Sequence, residues 1–164
     1  MGMQLPGEVR DFLSIVGFEW PAGDETQLLE LGQAWTEFSS LIDRQVQQAQ
    51  DAARLVWDGN ASSMVDAFRA KWDGDKGPAG QMATNATGGD IIGAGMMVCA
   101  GIVLALKINV IVQVTITLIS IATAIASAFV TFGASAAVVP LLREACKRLL
   151  DYLLDQAIAK VLAG

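Results

Sequence analysis

Apolar residues in the first half of the chain recur in steps of three and four. Leu28, Leu31, Trp35, Phe38, Ile42, Ala49, Ala52 and Val56 follow this spacing, with Gln45 as the one polar member. That is the pattern of a seam-forming amphipathic helix. Asp24 offers a cap for its first turn, and Gln27 completes a capping-box spacing. The helix should stop at Trp57-Asp58-Gly59, where Gly59 suits a left-handed residue just past a helix end. Asn60 or Ser62 can cap a second helix, whose Met64, Phe68 and Trp72 fall at i, i+4 and i+8. The pattern predicts a helix-turn-helix hairpin, with Trp57 anchored in the bend and Trp35, Phe38, Phe68 and Trp72 packing along it.

Ahead of the hairpin, residues 5–16 read as a short helix with Leu5, Val9, Phe12 and Val16 on one face. Pro6 opens it and Gly17 lies just beyond its end. A helix this short is stable only when docked on something larger. Phe18, Trp20 and Pro21 then form a rigid apolar link. After the hairpin, Asp73 to Gly80 is a run of Gly, Asp, Lys and Pro that breaks the helical pattern.

The second half is uncharged from Ile91 to Leu106 and again from Ile108 to Leu142, with Lys107 between. The latter run exceeds the roughly 20 residues that span a bilayer. Asn109, Gln113, Thr117, Ser120, Ser127 and Thr131 draw a polar stripe along it, which a bundle helix needs on its solvent side or against a partner. Ile111, Leu118, Ile121 and Ile125 lie away from that stripe and should face a core. Gly89 and Gly93 are spaced for close helix approach, although a loop or helix start fits them better. A helix from about residue 90 to 131 follows, then a second bend at Thr131-Phe132-Gly133-Ala134-Ser135. The last helix places Arg143, Lys147 and Arg148 beside Leu142, Leu149, Leu150, Leu153 and Leu154, with Pro140 kinking it or delaying its start. The expected fold is all-α, with two long antiparallel helical hairpins forming a four-helix bundle and a short N-terminal helix. Its divisions are an N-terminal helix and linker at 1–23, a first hairpin at 24–80 and an apolar second hairpin at 81–164.

Composition sharpens this picture. Hydrophobic residues make up 53% of the 164 and charged ones only 17%, a lean supply for a solvated surface. Apolar surface must therefore be covered by a thorough bundle, a partner or a membrane. The net charge of −6 argues against nucleic acid, which needs a basic face. The first eight residues lack a basic region followed by an apolar stretch, so no cleavable signal peptide is expected. Histidine is absent, and no Cys-x-x-Cys, nucleophile elbow or phosphate-cradling glycine motif occurs. The expectation is no enzyme, no cofactor, no metal and no catalytic residue. Folding the second half at Gly133 leaves Cys99 about 30 Å from Cys146 along an antiparallel pair, too far for a disulfide.

Trp57-Asp58-Gly59, the polar stretch Asn60 to Ser63 and the run Ala67-Phe68-Arg69-Ala70-Lys71-Trp72 resemble the WXG family of small helical proteins. The likeness covers residues 24 to 73. The wider layout, with Gly17-Phe18-Glu19-Trp20-Pro21 ahead and an Ala/Ile-rich half behind, is similar to the WXG-like N-terminal domains of actinobacterial polymorphic toxins of the necrotizing-toxin and channel-protein type. The resemblance implies export by a type VII secretion system, without a cleavable signal, to the cell surface or beyond. It also implies pairing with another WXG-like helical protein or with itself, and a toxin domain following the helical region. The family's export tag is a Tyr followed four residues later by Asp or Glu. Tyr152 is followed there by Gln156, with Asp155 one place short, so any tag at Tyr152 and Asp155 is degenerate.

Two functions follow from these residues. One is a non-enzymatic interaction and export module that meets a helical partner and the type VII machinery. The alternative is a membrane-inserting or channel-forming domain that uses residues 91–142, with Lys107 and the polar stripe lining a pore.

Overall fold

Helix boundaries follow local capping chemistry. In a computed structural model describing residues 2–74, 76–128 and 137–163, the helices are α1 (Gly7–Val16), α2 (Glu25–Asp58), α3 (Ser63–Asp73), α4 (Pro78–Ala128) and α5 (Val139–Ala163). No strand occurs among the described residues, so the all-α expectation holds. The Asp24 carboxylate accepts from the amides of Thr26 and Gln27, both at 3.1 Å, and caps α2. Ser62 accepts from the Val65 amide at 3.3 Å and caps α3. Gly17 ends α1 in the left-handed region at φ 68°, its N–H reaching back to the carbonyls of Leu13 and Ser14.

Gly59 does not take the left-handed role expected of it; among the described glycines only Gly17 has a positive φ. The end of α2 is closed instead by Asn60, whose side-chain amide donates to the Val56 carbonyl at 2.9 Å. The break after the hairpin is also shorter than its Gly and Pro content predicts. Pro78 opens α4, since a first-turn proline loses no helical bond, and the helix runs unbroken for 51 residues. Pro140 likewise sits in the first turn of α5, so it delays the helix and does not kink it. The predicted second bend, Thr131 to Ser135, lies outside the described residues.

The chain forms two compact units, Leu28–Met97 and the pair of segments Met1–Gln27 and Val98–Gly164. In the first, α2 meets the beginning of α4 through very small side chains. The carbonyl of Gly93 lies 2.8 Å from where a Cβ on Gly32 would sit, and the Gly32 carbonyl stands equally close to a Cβ on Gly93. Ser39, fully buried, presses its hydroxyl against Gly89 and donates to the Trp35 carbonyl at 3.0 Å. Gly89 and Gly93 thus serve close helix approach, and the loop or helix-start interpretation fails because both sit within α4.

The buried face of α2 is Gly32, Ser39, Val46 and Ala53, every seventh residue. In this unit α4 answers with Ala79, Ala86 and Gly93, again seven apart. A seven-residue repeat is the coiled-coil period. The seam predicted from apolar spacing is therefore offset. Leu28, Trp35, Ile42 and Ala49 are half-buried, whereas Leu31, Phe38, Gln45, Ala52 and Val56 are exposed. Small residues win the interior because they let the two backbones approach, which a large residue would prevent.

The other unit buries larger groups. Val9, Phe12, Leu13 and Val16 of α1 pack with Phe18 of the link, Leu106, Val110, Val114 and Ile121 of α4, and Cys146 and Leu150 of α5. Val110, Val114 and Leu150 are fully enclosed, and each such side chain contributes about 1.5–3 kcal/mol. The short α1 is thereby docked as expected. The heptad of α4 continues through Ala100, Lys107, Val114 and Ile121. Thr117 of the polar stripe is buried and donates back to the Gln113 carbonyl at 2.9 Å, so the stripe is not simply a solvent face. Ile125, expected in the core, is exposed, while Ile121 is buried and Ile111 and Leu118 are half-buried. Cys146 is buried and Cys99 half-buried, and both are free thiols.

Candidate interaction surface

At the bend between α2 and α3, half-buried Trp57 packs its ring against Phe68 at 6.0 Å between centroids. Phe68 in turn meets Trp72 at 5.8 Å. The Arg69 guanidinium lies over Trp57 at 5.6 Å, covering its outer face with a cation–π contact. Trp72 keeps its indole N–H buried without an acceptor among the described residues. Asp58 and Gly59 are exposed, and a Cβ on Gly59 would meet only the Leu55 carbonyl, at 3.8 Å. Trp57, Phe68 and Trp72 are thus brought together as one aromatic row.

Trp35 and Phe38 form a separate pair, edge to face at 5.9 Å. Trp35 leans on Gly89, but Phe38 is 47% exposed. It belongs to an outward column in which Leu31, Ala34, Phe38, Leu41, Gln45, Gln48, Ala52 and Leu55 alternate in steps of three and four. Every one of these residues is exposed, Leu41 at 51% and Leu55 at 76%. Large apolar side chains left exposed along a helical seam make this column the candidate interaction surface. The predicted seam had mixed one column of each face: Leu28, Trp35, Ile42 and Ala49 from the inner one, Leu31, Phe38, Gln45 and Ala52 from the outer. Ala34, Leu41 and Leu55 were missed, although their spacing was there to be counted.

Lys107 is the cation that the channel reading assigns to a pore. It is buried, its Nζ 2.6 Å from Glu25 Oε2 and 2.6 Å from the Gly23 carbonyl it donates to, and 5.8 Å from the centre of the Trp20 ring. The other Glu25 oxygen accepts from the Met3 amide. Burial alone would raise the Glu25 carboxyl, but hydrogen bonds from Lys107 and the Met3 amide outweigh it and hold the pKa at about 2. No local pattern signals this pair, because its members lie 82 residues apart.

Tyr152 and Asp155 are both exposed on α5, and the Tyr152 hydroxyl accepts from the Gln156 amide at 2.5 Å. No cluster of metal-ligating side chains occurs among the described residues. A groove of about 250 Å³ between α4 and α5 presents Asn109, Gln156 and Lys160 above an apolar floor, without an acid–base or nucleophile pair. Among the described residues, one helical stretch is long and apolar enough to cross a membrane by length and composition, with mean hydropathy 2.3 and 22% of its best window buried.

An all-α chain packed on a seven-residue repeat, with a Trp-Asp-Gly bend and an exposed apolar column, defines a class of helical-hairpin proteins. The model of the WXG100 like domain family matches residues 3–147, and the chain belongs to that family. Membership places it among helical proteins associated with type VII secretion. No curated protein and no solved structure matches the chain.

Proposed function

We propose that the chain is a non-enzymatic interaction and export module of a type VII-secreted protein. In it, the outward column of α2 takes a helix from a partner of the same WXG-like kind. The open column Leu31, Ala34, Phe38, Leu41 and Leu55 carries this reading, because its spacing suits a second helix and its exposure leaves the room. The aromatic row at Trp57, Phe68 and Trp72 holds the hairpin bend, and exposed Tyr152 with Asp155 on α5 is where the secretion machinery would read a degenerate tag. The likeness to polymorphic-toxin N-terminal domains supports a place ahead of a toxin domain and delivery to the cell surface or medium.

The second reading, insertion into a membrane through residues 91–142, draws on the exposed and uncharged α4 positions Ile91, Val98, Ile108, Val112, Ile116 and Ile119. Against it, Lys107 is committed to Glu25 inside the fold. The test is recovery of the tagged chain from a type VII-competent host, followed by identification of what travels with it in stoichiometric amount. The expected result is a helical partner that is lost in a Leu31→Lys/Phe38→Lys variant whose helicity is unchanged. Retention of that partner by the variant, or wild-type chain extracted only by detergent, contradicts it.

A further inference from the structure

The outward column of α2 is edged by charge on one side only. Leu31, Phe38, Gln45 and Ala52 take one seam position of a heptad, and Ala34, Leu41, Gln48 and Leu55 take the other. The inner edge, Trp35, Ile42, Ala49 and Val56, is apolar. The outer edge is Glu30, Glu37, Arg44, Asp51 and Asp58, exposed residues each seven apart; all are acids except Arg44. Charges at such edge positions decide which helix a seam accepts. Asp51 remains available for this, since its contact with Arg54 is long at 3.7 Å and both side chains are mostly exposed.

Resting on the pairing proposed above, we infer that the column selects a separate helical protein in preference to a second copy of this chain. That protein carries Lys or Arg opposite Glu30, Glu37, Asp51 and Asp58, and an acid opposite Arg44. Two antiparallel copies centred on Arg44 would set Glu30 against Asp58, Glu37 against Asp51 and Arg44 against Arg44, every pair like-charged. Two parallel copies would set the acids against the apolar inner edge, which offers no cation. The net charge of −6 adds to the repulsion between copies. The charge order reads the same in both directions, so one basic pattern satisfies it in either orientation. Gln45 and Gln48 interrupt the apolar column midway and fix the register against polar residues of that partner.

The probes are two synthetic amphipathic peptides of equal length with leucine seams. One has edge residues Lys-Lys-Glu-Lys-Lys at heptad spacing, the other Glu-Glu-Lys-Glu-Glu. Fluorescence anisotropy against the full chain should give the basic peptide about tenfold tighter binding at low salt, from several favourable edge pairs acting together. The preference should shrink as salt is added and reverse in a Glu30→Lys/Glu37→Lys/Asp51→Lys/Asp58→Lys variant. Phe38→Lys should abolish binding while circular dichroism stays unchanged. Equal binding of the two peptides overturns the charge assignment but leaves the seam in use. Failure of both peptides to bind overturns the pairing itself. Self-association of the chain that Phe38→Lys removes overturns the choice of a separate protein.

Discussion

The two units solve the same packing problem with opposite materials. Where α2 meets α4, the interface is Gly32, Ser39, Gly89 and Gly93, and the bulky residues Leu31, Phe38, Leu41 and Leu55 are left outside. Where α1, α4 and α5 meet, Phe12, Leu13, Val110, Val114 and Leu150 fill the interior. The second arrangement gains its stability from buried apolar area. The first gains it from close backbone approach and leaves its large side chains exposed, free for the partner proposed above. On the function proposed above, one chain divides folding and recognition between two regions.

The largest expected effect lies at the buried ion pair. Lys107→Met leaves Glu25 charged and unpaired inside the fold and should cost about 3–5 kcal/mol in chemical denaturation. A Lys107→Met/Glu25→Leu double variant should recover most of that loss, as apolar pairs of similar volume do. The same pair predicts a pH dependence. The Glu25 pKa is depressed in the folded state from 4.5 to about 2, so its contribution is fully present above pH 4.5 and is lost as pH falls towards 2. Thermal melts between pH 6 and 2 should decline more steeply for the wild type than for the double variant.

Next comes the apolar core. Leu150→Ala empties a fully enclosed site and should cost about 2–5 kcal/mol by urea denaturation. Gly93→Val attacks the other unit by driving a side chain into the Gly32 carbonyl and Thr36. It should cost about 1–3 kcal/mol as the helices are pushed apart. The smallest effect is Gly59→Ala. Its site has ordinary backbone conformation and open space, so the melting temperature should move by no more than about 0.5 kcal/mol of stability implies.

Much of this fold was legible in the sequence. Asp24, Ser62 and Gly17 announced helix ends through side-chain and backbone chemistry that acts within a few residues. The clustering of Trp57, Phe68 and Trp72 followed from helical spacing and a bend. What stayed hidden depends on residues distant in the chain. Apolarity alone points a helix by its largest side chains, and in α2 those side chains point away from the interior. The buried column of Gly32, Ser39 and Ala53 scores as weak by that measure, yet it packs because Gly89 and Gly93 stand opposite. Glycines that read as loop signals were spacers for helix contact, which is why α4 begins at Pro78 and not near residue 90. Lys107 looked like an intruder in an apolar run because its partner, Glu25, stands 82 residues earlier in the chain.

The central claim is that the outward column of α2 serves recognition and contributes little to folding. Equilibrium urea denaturation of a Leu41→Lys/Leu55→Lys variant tests it most directly, since these side chains are 51% and 76% exposed. Stability should stay within about 1 kcal/mol of wild type, as for two substitutions on an exposed surface. A loss of several kcal/mol, comparable to Leu150→Ala, would mean that the column is buried in the folded chain and would contradict the account.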